Sequence, residues 1–520
     1  MNLNSKKTIS NKIKIYDYHI NMKKLLKATI INIGTYILIF ILILCKTTDS
    51  KSQHIDSKNS SEFSLNFEKK IKSIYTENEM QGDFIFAVVN EKGLVYSYAL
   101  NNEILKGNIT SLDNHSPIYI ASHTKSFTGT LIKILEEKGQ IDLDKSLTGY
   151  LPDLHFHSKI DTDKIKIKNL LNHTHGIFSS SLTWKTAYLG YSGNNSELIE
   201  DFNKDYFYDP SGSFRYSNVG PIIAGIIIEK ETGNSWKDEM NKHIFKPLKM
   251  FNTTTKVSEV DYKSIRHSNT FSKVGGIVET GFYKQDITMH ASGGIISTIN
   301  DLSKWLSANI RKDTRLLTKN SWEALHQSST TQDKEYFTYK RKGYSLGWDV
   351  AEYQGETILT RFGGLAGISF HISFIPENKI GIIAFSTDNR AYLLPHLMAN
   401  YAYNKFASND AERTFTIEKD NFQKAFDDEN NISHPNESQL MTINRSHDGI
   451  LGVYRSTIGW PSISIIQKEN NYIFNWGELG GKIYKADNGG YISNLGVMTR
   501  EFNISNDTLM TGSQIYLKEY

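Results

Sequence analysis

Cysteine is almost absent: Cys45 is the single one in 520 residues. No intrachain disulfide can form, and a zinc site built from cysteines is excluded. Charge of one sign is missing too, because 59 Lys and Arg stand against 56 Asp and Glu, a net of +3. That balance gives no reason to expect a nucleic-acid partner. No segment repeats at a solenoid period. What is present is ordinary for a folded protein: 39% hydrophobic and 22% charged residues, enough for a real core. The length allows two or three domains.

One long apolar run stands near the N-terminus. Lys6, Lys7, Lys12, Lys14, Lys23, Lys24 and Lys27 precede the uncharged stretch "ATIINIGTYILIFILIL", Ala28 to Leu44. As a helix it would span roughly 26 Å, close to the hydrocarbon thickness of a bilayer. A basic flank, an apolar run and a polar exit read as an export signal or a single membrane anchor. The positive flank would stay inside, which puts the body of the chain outside the cytoplasm. Met22 opens a second, shorter leader, "MKKLLK". Cys45 is a lipidation candidate, although Leu44 before it is larger than the residue usual there.

The rest divides by composition. Residues 1–45 are the basic N-terminus and signal or anchor, and 46–62 a polar linker. The main domain runs over 63–407, a second linker over 408–440, and an all-β appendage over 441–520. "DFIFAVVN" and "GLVYSYAL" read as a hairpin, and so do "GISFHISFIP" and "KIGIIAFST" far downstream. Between them the pattern is mostly helical. Strands at both ends with helices between predict an α/β domain whose antiparallel sheet is built from both chain ends. "DDENNISHPNESQ" has linker composition. "SISII", "YIFNW", "GKIYKADNGGYI", "REFNI" and "SQIYL" predict a small sandwich or barrel.

Three stretches carry chemistry. In "SHTK", Ser122 stands before a helical pattern, with Phe127, Leu131, Ile134 and Leu135 on one face. A serine there either caps backbone N–H groups or acts as a nucleophile at an electropositive helix end. Lys125 lies one turn on, within reach of the hydroxyl. Burial would lower its pKa and fit it to take the serine's proton. In "YSN", Tyr216 sits on a loop entering an apolar helix. A phenol beside an ammonium can serve as acid or base, and Asn218 can both donate and accept. In "RFGGLAG", Arg361 precedes a strand and could attract a carboxylate, while Gly363 and Gly364 let substrate backbone approach a strand edge.

Ser-x-x-Lys, Tyr-Ser-Asn and a glycine-rich segment before a strand, in that order, resemble the serine β-lactamase-related family. It includes class C β-lactamases, low-molecular-weight penicillin-binding proteins, D-amino-acid peptidases and related esterases. "IKNLLNHTHGI", "ASGGIISTINDLSKW" and "YSLGWDV" have the same texture. The resemblance covers about 63–407 and implies a β-lactamase/transpeptidase-like fold with an inserted helical region. It implies an acylated nucleophile at Ser122, proton transfer by Lys125 and Tyr216, and orientation of substrate by Asn218. The N–H groups of Ser122 and Gly364 would form the oxyanion hole. One departure stands out: where the family has Lys-Thr-Gly or His-x-Gly, this chain has Arg361-Phe362-Gly363, and arginine does not give up its proton. His155, His157, His173 and His175 lack ligand spacing for a metal, and the resemblance puts "NHTHG" in a structural turn.

The implied activity is that of an extracytoplasmic serine hydrolase acting on a small-molecule or peptide substrate: a β-lactam, a D-amino-acid peptide or a small ester. No cofactor and no metal is implied, and the membrane is met through the N-terminal segment. The alternative is a catalytically weak module that binds cell-wall peptides on the same fold. Arg361 and the β appendage motivate it, and the intact serine–lysine pair opposes it.

Overall fold

A strand that is apolar on both faces needs a packed layer on each side. The first strand, β1 (Phe84–Asn90), is of this kind: six of its seven residues are buried. It pairs with β2 (Gly93–Leu100) as the expected hairpin. The other strands of its sheet come from the far end of the domain. They are β3 (Lys334–Tyr336), β4 (Tyr339–Tyr344), β5 (Asp349–Tyr353), β6 (Glu356–Leu365), β7 (Ile368–Ile375) and β8 (Ile380–Ser386). The order across the sheet is β2-β1-β8-β7-β6-β5-β4-β3, antiparallel throughout. These are findings from a computed structural model that describes residues 57–101, 111–266, 269–272, 276–279, 282–407, 409–431, 441–443, 449–486 and 488–520.

Alternation along β1 separates two cores. Ile85, Ala87 and Val89 face the helical region, which includes α2 (Thr124–Glu137), α3 (Val219–Thr232) and α4 (Ile299–Arg311). Phe84, Phe86 and Val88 face α1 (Ser57–Glu77), α5 (Leu394–Phe406) and α6 (Ala411–Asn430). The result is a three-layer β-lactamase/transpeptidase-like fold, as the motifs implied.

The C-terminal part is a closed barrel. Its strands are β9 (Gly452–Ser456), β10 (Ile463–Lys468), β11 (Asn471–Trp476), β12 (Leu479–Lys485), β13 (Tyr491–Asn494), β14 (Thr499–Ser505), β15 (Thr508–Thr511) and β16 (Gln514–Lys518). Each pairs with the next, and β9 closes on β16 through Tyr454 and Lys518. Ile463, Ile465, Phe474, Trp476, Phe502, Leu509 and Tyr516 are fully buried, so side chains fill the small barrel. The β11–β12 turn docks on the helical region. Trp476 stacks on Trp184 with ring centres 5.9 Å apart, and Glu478 N–H donates to the Leu189 carbonyl at 2.8 Å. Gly477 takes φ +57° there, and a Cβ on it would lie 2.0 Å from that carbonyl oxygen.

Three expectations need correction. The stretch 408–440 is not a linker throughout, because α6 occupies Ala411–Asn430, capped by Asp410 accepting from Arg413 N–H. Phe415, Phe422 and Phe426 bury one face, but the polar residues around them mask it in the composition. The helix α1 begins at Ser57, inside the expected linker 46–62. Arg361 to Gly364 lie within β6 rather than ahead of a strand. The basic flank, the apolar run and Cys45 lie outside the described residues. Among the described residues no helix is long and apolar enough to cross a membrane.

The helix α6 joins the sheet through a buried carboxyl. Glu418 accepts from Tyr353 Oη and Asn400 Nδ2, each at 2.9 Å. Burial, opposed by those hydrogen bonds, raises its pKa to about 7. A raised folded pKa adds stability that is complete below the unfolded value and is lost as pH rises through the folded one. Measured by denaturant titration, the wild type should lose stability relative to Glu418→Gln between about pH 4.5 and 7, by at most about 3 kcal/mol. A difference that does not change with pH would show that the carboxyl is not held in this way.

Candidate active site

The site begins with a strained residue. Ala121 has φ +46°, a left-handed conformation that costs a non-glycine residue about 1–2 kcal/mol. Ile120 N–H, donating to the Ile295 carbonyl at 3.1 Å, anchors the chain just before it. The turn Ala121–His123 then leads into α2 with no side-chain cap. The Ser122 hydroxyl is therefore free of capping. It accepts from Lys125 Nζ at 3.1 Å and from the Tyr216 hydroxyl at 3.0 Å.

Lys125 is buried. Besides Ser122, its Nζ donates to Asn218 Oδ1 and to the Ser292 carbonyl, both at 2.7 Å. Burial lowers its pKa to about 8; nearby Tyr216 opposes the shift and Arg361 adds to it. Tyr216 is 37% exposed, yet its ring lies between two cations. The Lys125 ammonium sits 5.0 Å from the ring centre and the Arg361 guanidinium 4.6 Å. Burial alone would raise the phenol pKa, but Arg361 and Lys125 outweigh it and bring it below its ordinary value. The loop that presents Tyr216 rests on His173, itself left-handed at φ +62°. Arg215 N–H donates to the His173 carbonyl at 2.9 Å, and Ser217 N–H to its Nδ1 at 3.3 Å. The "NHTHG" turn thus has a structural job. His175 likewise accepts from Ile177 N–H at 3.1 Å.

Arg361 points inward from β6. Its Nη1 pairs with Asp349 Oδ2 at 2.9 Å, its Nη2 donates to the Tyr216 hydroxyl at 2.7 Å, and its Nε donates to the Ser122 carbonyl at 3.3 Å. It holds the centre together rather than standing open for a substrate carboxylate. Gly363 shows why β6 can come so close: a Cβ there would lie 2.5 Å from the Ile120 carbonyl oxygen. Gly364 is exposed, next to the β6–β7 turn formed by Ala366 and Gly367. A cleft of about 450 Å³ is lined by Ser122, Tyr216, Arg361, Gly363 and Gly364 among others. Lys125 and Asn218 stand behind this lining.

The fold brings all the candidate residues of the main domain together: Ser122, Lys125, Tyr216, Asn218, Arg361, Gly363 and Gly364. Chemically, the arrangement is a hydroxyl between two groups able to take its proton, with an open strand edge beside it. Sequence reasoning missed Asp349, the Ser292 carbonyl and the supporting role of His173. The only signal for Asp349 was its place in "YSLGWDV".

The beta-lactamase family model matches residues 67–398, and the chain belongs to that family. Protein flp of Staphylococcus aureus (strain MW2) is 25% identical over 282 residues, 54% of this chain and 55% of that protein. Unguisins hydrolase ungD' of Aspergillus campestris is 23% identical over 301 residues, 56% of this chain and 55% of that protein. Penicillin-binding protein 4* of Bacillus subtilis is 24% identical over 285 residues, 52% of this chain and 60% of that protein. The chain thus spans little more than half the length of these curated relatives. Among solved structures, the octameric penicillin-binding protein homologue from Pyrococcus abyssi superposes with a TM-score of 0.58 at 20% identity, over 87% of this chain and 99% of that one. D-amino acid amidase from Ochrobactrum anthropi gives 0.53 at 20% identity, over 70% and 98%. At these identities the likeness concerns fold.

The close approach at Gly363 yields a test. In Gly363→Ala the added methyl meets the Ile120 carbonyl and pushes β6 away from Ser122. Labelling of Ser122 by a fluorophosphonate should slow on the order of a hundredfold while the protein stays folded. Labelling at the wild-type rate would mean that the approach of β6 is not needed.

Proposed function

We propose that the protein is a serine hydrolase that transfers an acyl group from an amide or ester to Ser122 and then to water. The observation that carries this reading is the Ser122 hydroxyl held 3.1 Å from a buried lysine amine and 3.0 Å from a tyrosine hydroxyl. A capping serine needs neither neighbour.

Ser122 Oγ attacks the carbonyl carbon and passes its proton to neutral Lys125 or to ionised Tyr216. The N–H groups of Ser122 and Gly364 stabilise the oxyanion. That proton then reaches the leaving group through Tyr216, which, where Lys125 was the base, takes the lysine's proton as it gives up its own, so the base is free again once the bond to the carbonyl breaks. Water then attacks the acyl-enzyme and loses a proton to the same base, which passes it to Ser122 Oγ as the acyl bond breaks and the acid leaves. Asn218 keeps Lys125 aimed at the serine throughout. Arg361 favours the ionised phenol and so tunes the base. Substrates are a D-amino-acid peptide, a β-lactam or a small ester met outside the cytoplasm, to which the N-terminal segment directs the chain. A relative named as a hydrolase supports the reaction class.

The test is intact mass after incubation with a fluorescent penicillin and, separately, a fluorophosphonate. An adduct on Ser122 is expected, and Ser122→Ala should lose both the adduct and turnover while staying folded. Retained turnover in that variant would sink the mechanism. Where Lys125 takes the proton it must be neutral, and because burial lowers its pKa to about 8, the acylation rate should then rise with pH about a midpoint near 8. An unshifted lysine would place that midpoint near 10.4.

A further inference from the structure

Cations and carboxylates around the cleft can be matched one by one. Among the described residues lining it, Arg361 is the one Lys or Arg. Its guanidinium is buried, and each of its three nitrogens already meets an oxygen, from Asp349, Tyr216 or Ser122. Arg341 stacks behind Tyr336, 4.8 Å from the ring centre, and pairs with the other oxygen of Asp349 at 3.4 Å. Lys284 donates to the carbonyls of Ala187 and Thr288 at 2.6 and 3.0 Å. Lys125 behind the lining already donates to Ser122, Asn218 and Ser292, so among the described residues a substrate carboxylate entering the cleft finds no unengaged cation, and a desolvated charge without a partner is costly.

The wall beyond the strand edge is aromatic and neutral. Phe362 alternates with Arg361 and so points to the opposite face of β6. Its ring lies 4.5 Å from that of Tyr336, 5.0 Å from His371 and 5.6 Å from His396. All four line the cleft. His371 Nε2 is bonded to Ser373 Oγ at 2.7 Å and His396 Nε2 to Thr338 Oγ1 at 3.0 Å. The Nδ1 atoms of both are buried with no hydrogen-bond partner. Burial keeps both rings uncharged by lowering their pKa, for His371 to about 3. Phe362 and Tyr336 are partly exposed in the same cleft as Ser122, with the two buried imidazoles behind them; such a wall accepts a flat apolar group.

We propose that the cleft selects amides or esters whose acyl group is uncharged and aromatic, seated against Phe362 and Tyr336, and that it discriminates against a carboxylate near the scissile bond. This deepens the hydrolase reading and rests on it.

The test compares two 4-nitrophenyl esters on the purified full chain, the phenylacetyl ester and the glutaryl hemiester, which carries a free carboxylate, with the acetyl ester as a small reference for the Phe362 variant. The neutral aromatic ester should have a kcat/KM at least about tenfold higher. Tyr392→Lys, at a position 41% exposed on the cleft rim, should narrow the gap by improving the hemiester. Phe362→Ala should lower kcat/KM for the phenylacetyl ester more than for the acetyl ester. Equal or better turnover of the hemiester by wild type overturns the proposal. So does an equal loss on both esters in Phe362→Ala, which would mark that ring as structural. Both esters inert on folded protein also overturns it, and fluorophosphonate uptake at Ser122 then decides separately whether the hydrolase reading stands.

Discussion

The site depends on one buried amine. Lys125 Nζ is taken out of water and must find acceptors inside the protein. It finds three, on Ser122, Asn218 and Ser292. These lie on the turn before α2, at the start of α3, and on the segment leading to α4. A single nitrogen thus sets the mutual placement of three segments far apart in sequence. The same burial disfavours its positive charge, and Arg361 nearby disfavours it further. Structure and reactivity follow from one desolvation.

Arg361 is the second constraint. A permanent cation in the interior needs a fixed counter-charge, and Asp349 supplies it on the neighbouring strand. The guanidinium then reaches both the tyrosine hydroxyl and the carbonyl of the nucleophile. Lysine could not make all these contacts at once, because it lacks the planar fork. The departure from the family's usual residue therefore ties the strand more firmly to the turn at Ser122. It also removes a cation from the open part of the cleft.

The sequence revealed the site where the chemistry was local. Ser122 and Lys125 are one helical turn apart, and Tyr216 and Asn218 flank a helix start, so short spacing carried the geometry. The sheet built from both chain ends was legible from its two apolar hairpins. Four strands were not, because β3 to β6 are short or polar on one side, as in "YKRKGY". The barrel was legible as alternating runs, yet "GVYRS" and "TLMT" went unread because each is only four or five residues long and buries only one large side chain. The helix α6 hid among acidic and polar residues that buried only three phenylalanines. Asp349 became visible only through a hydrogen bond to another strand, which no single-sequence pattern encodes.

The barrel bears on the cleft through a short chain of contacts. Tyr188 lines the cleft and belongs to the turn Lys185–Leu189. Below that turn, Lys284 donates to the Ala187 carbonyl, and its own pKa is lowered to about 7 by burial. On the other side, the Leu189 carbonyl accepts from Glu478 of the barrel turn. The carbonyls on either side of Tyr188 are therefore both fixed, one from the helical region and one from the barrel. A backbone held at both neighbours has little freedom to move the ring between them. The C-terminal barrel is thus part of the cleft's frame, and the position of one cleft wall depends on a contact that the hydrolase domain alone does not make.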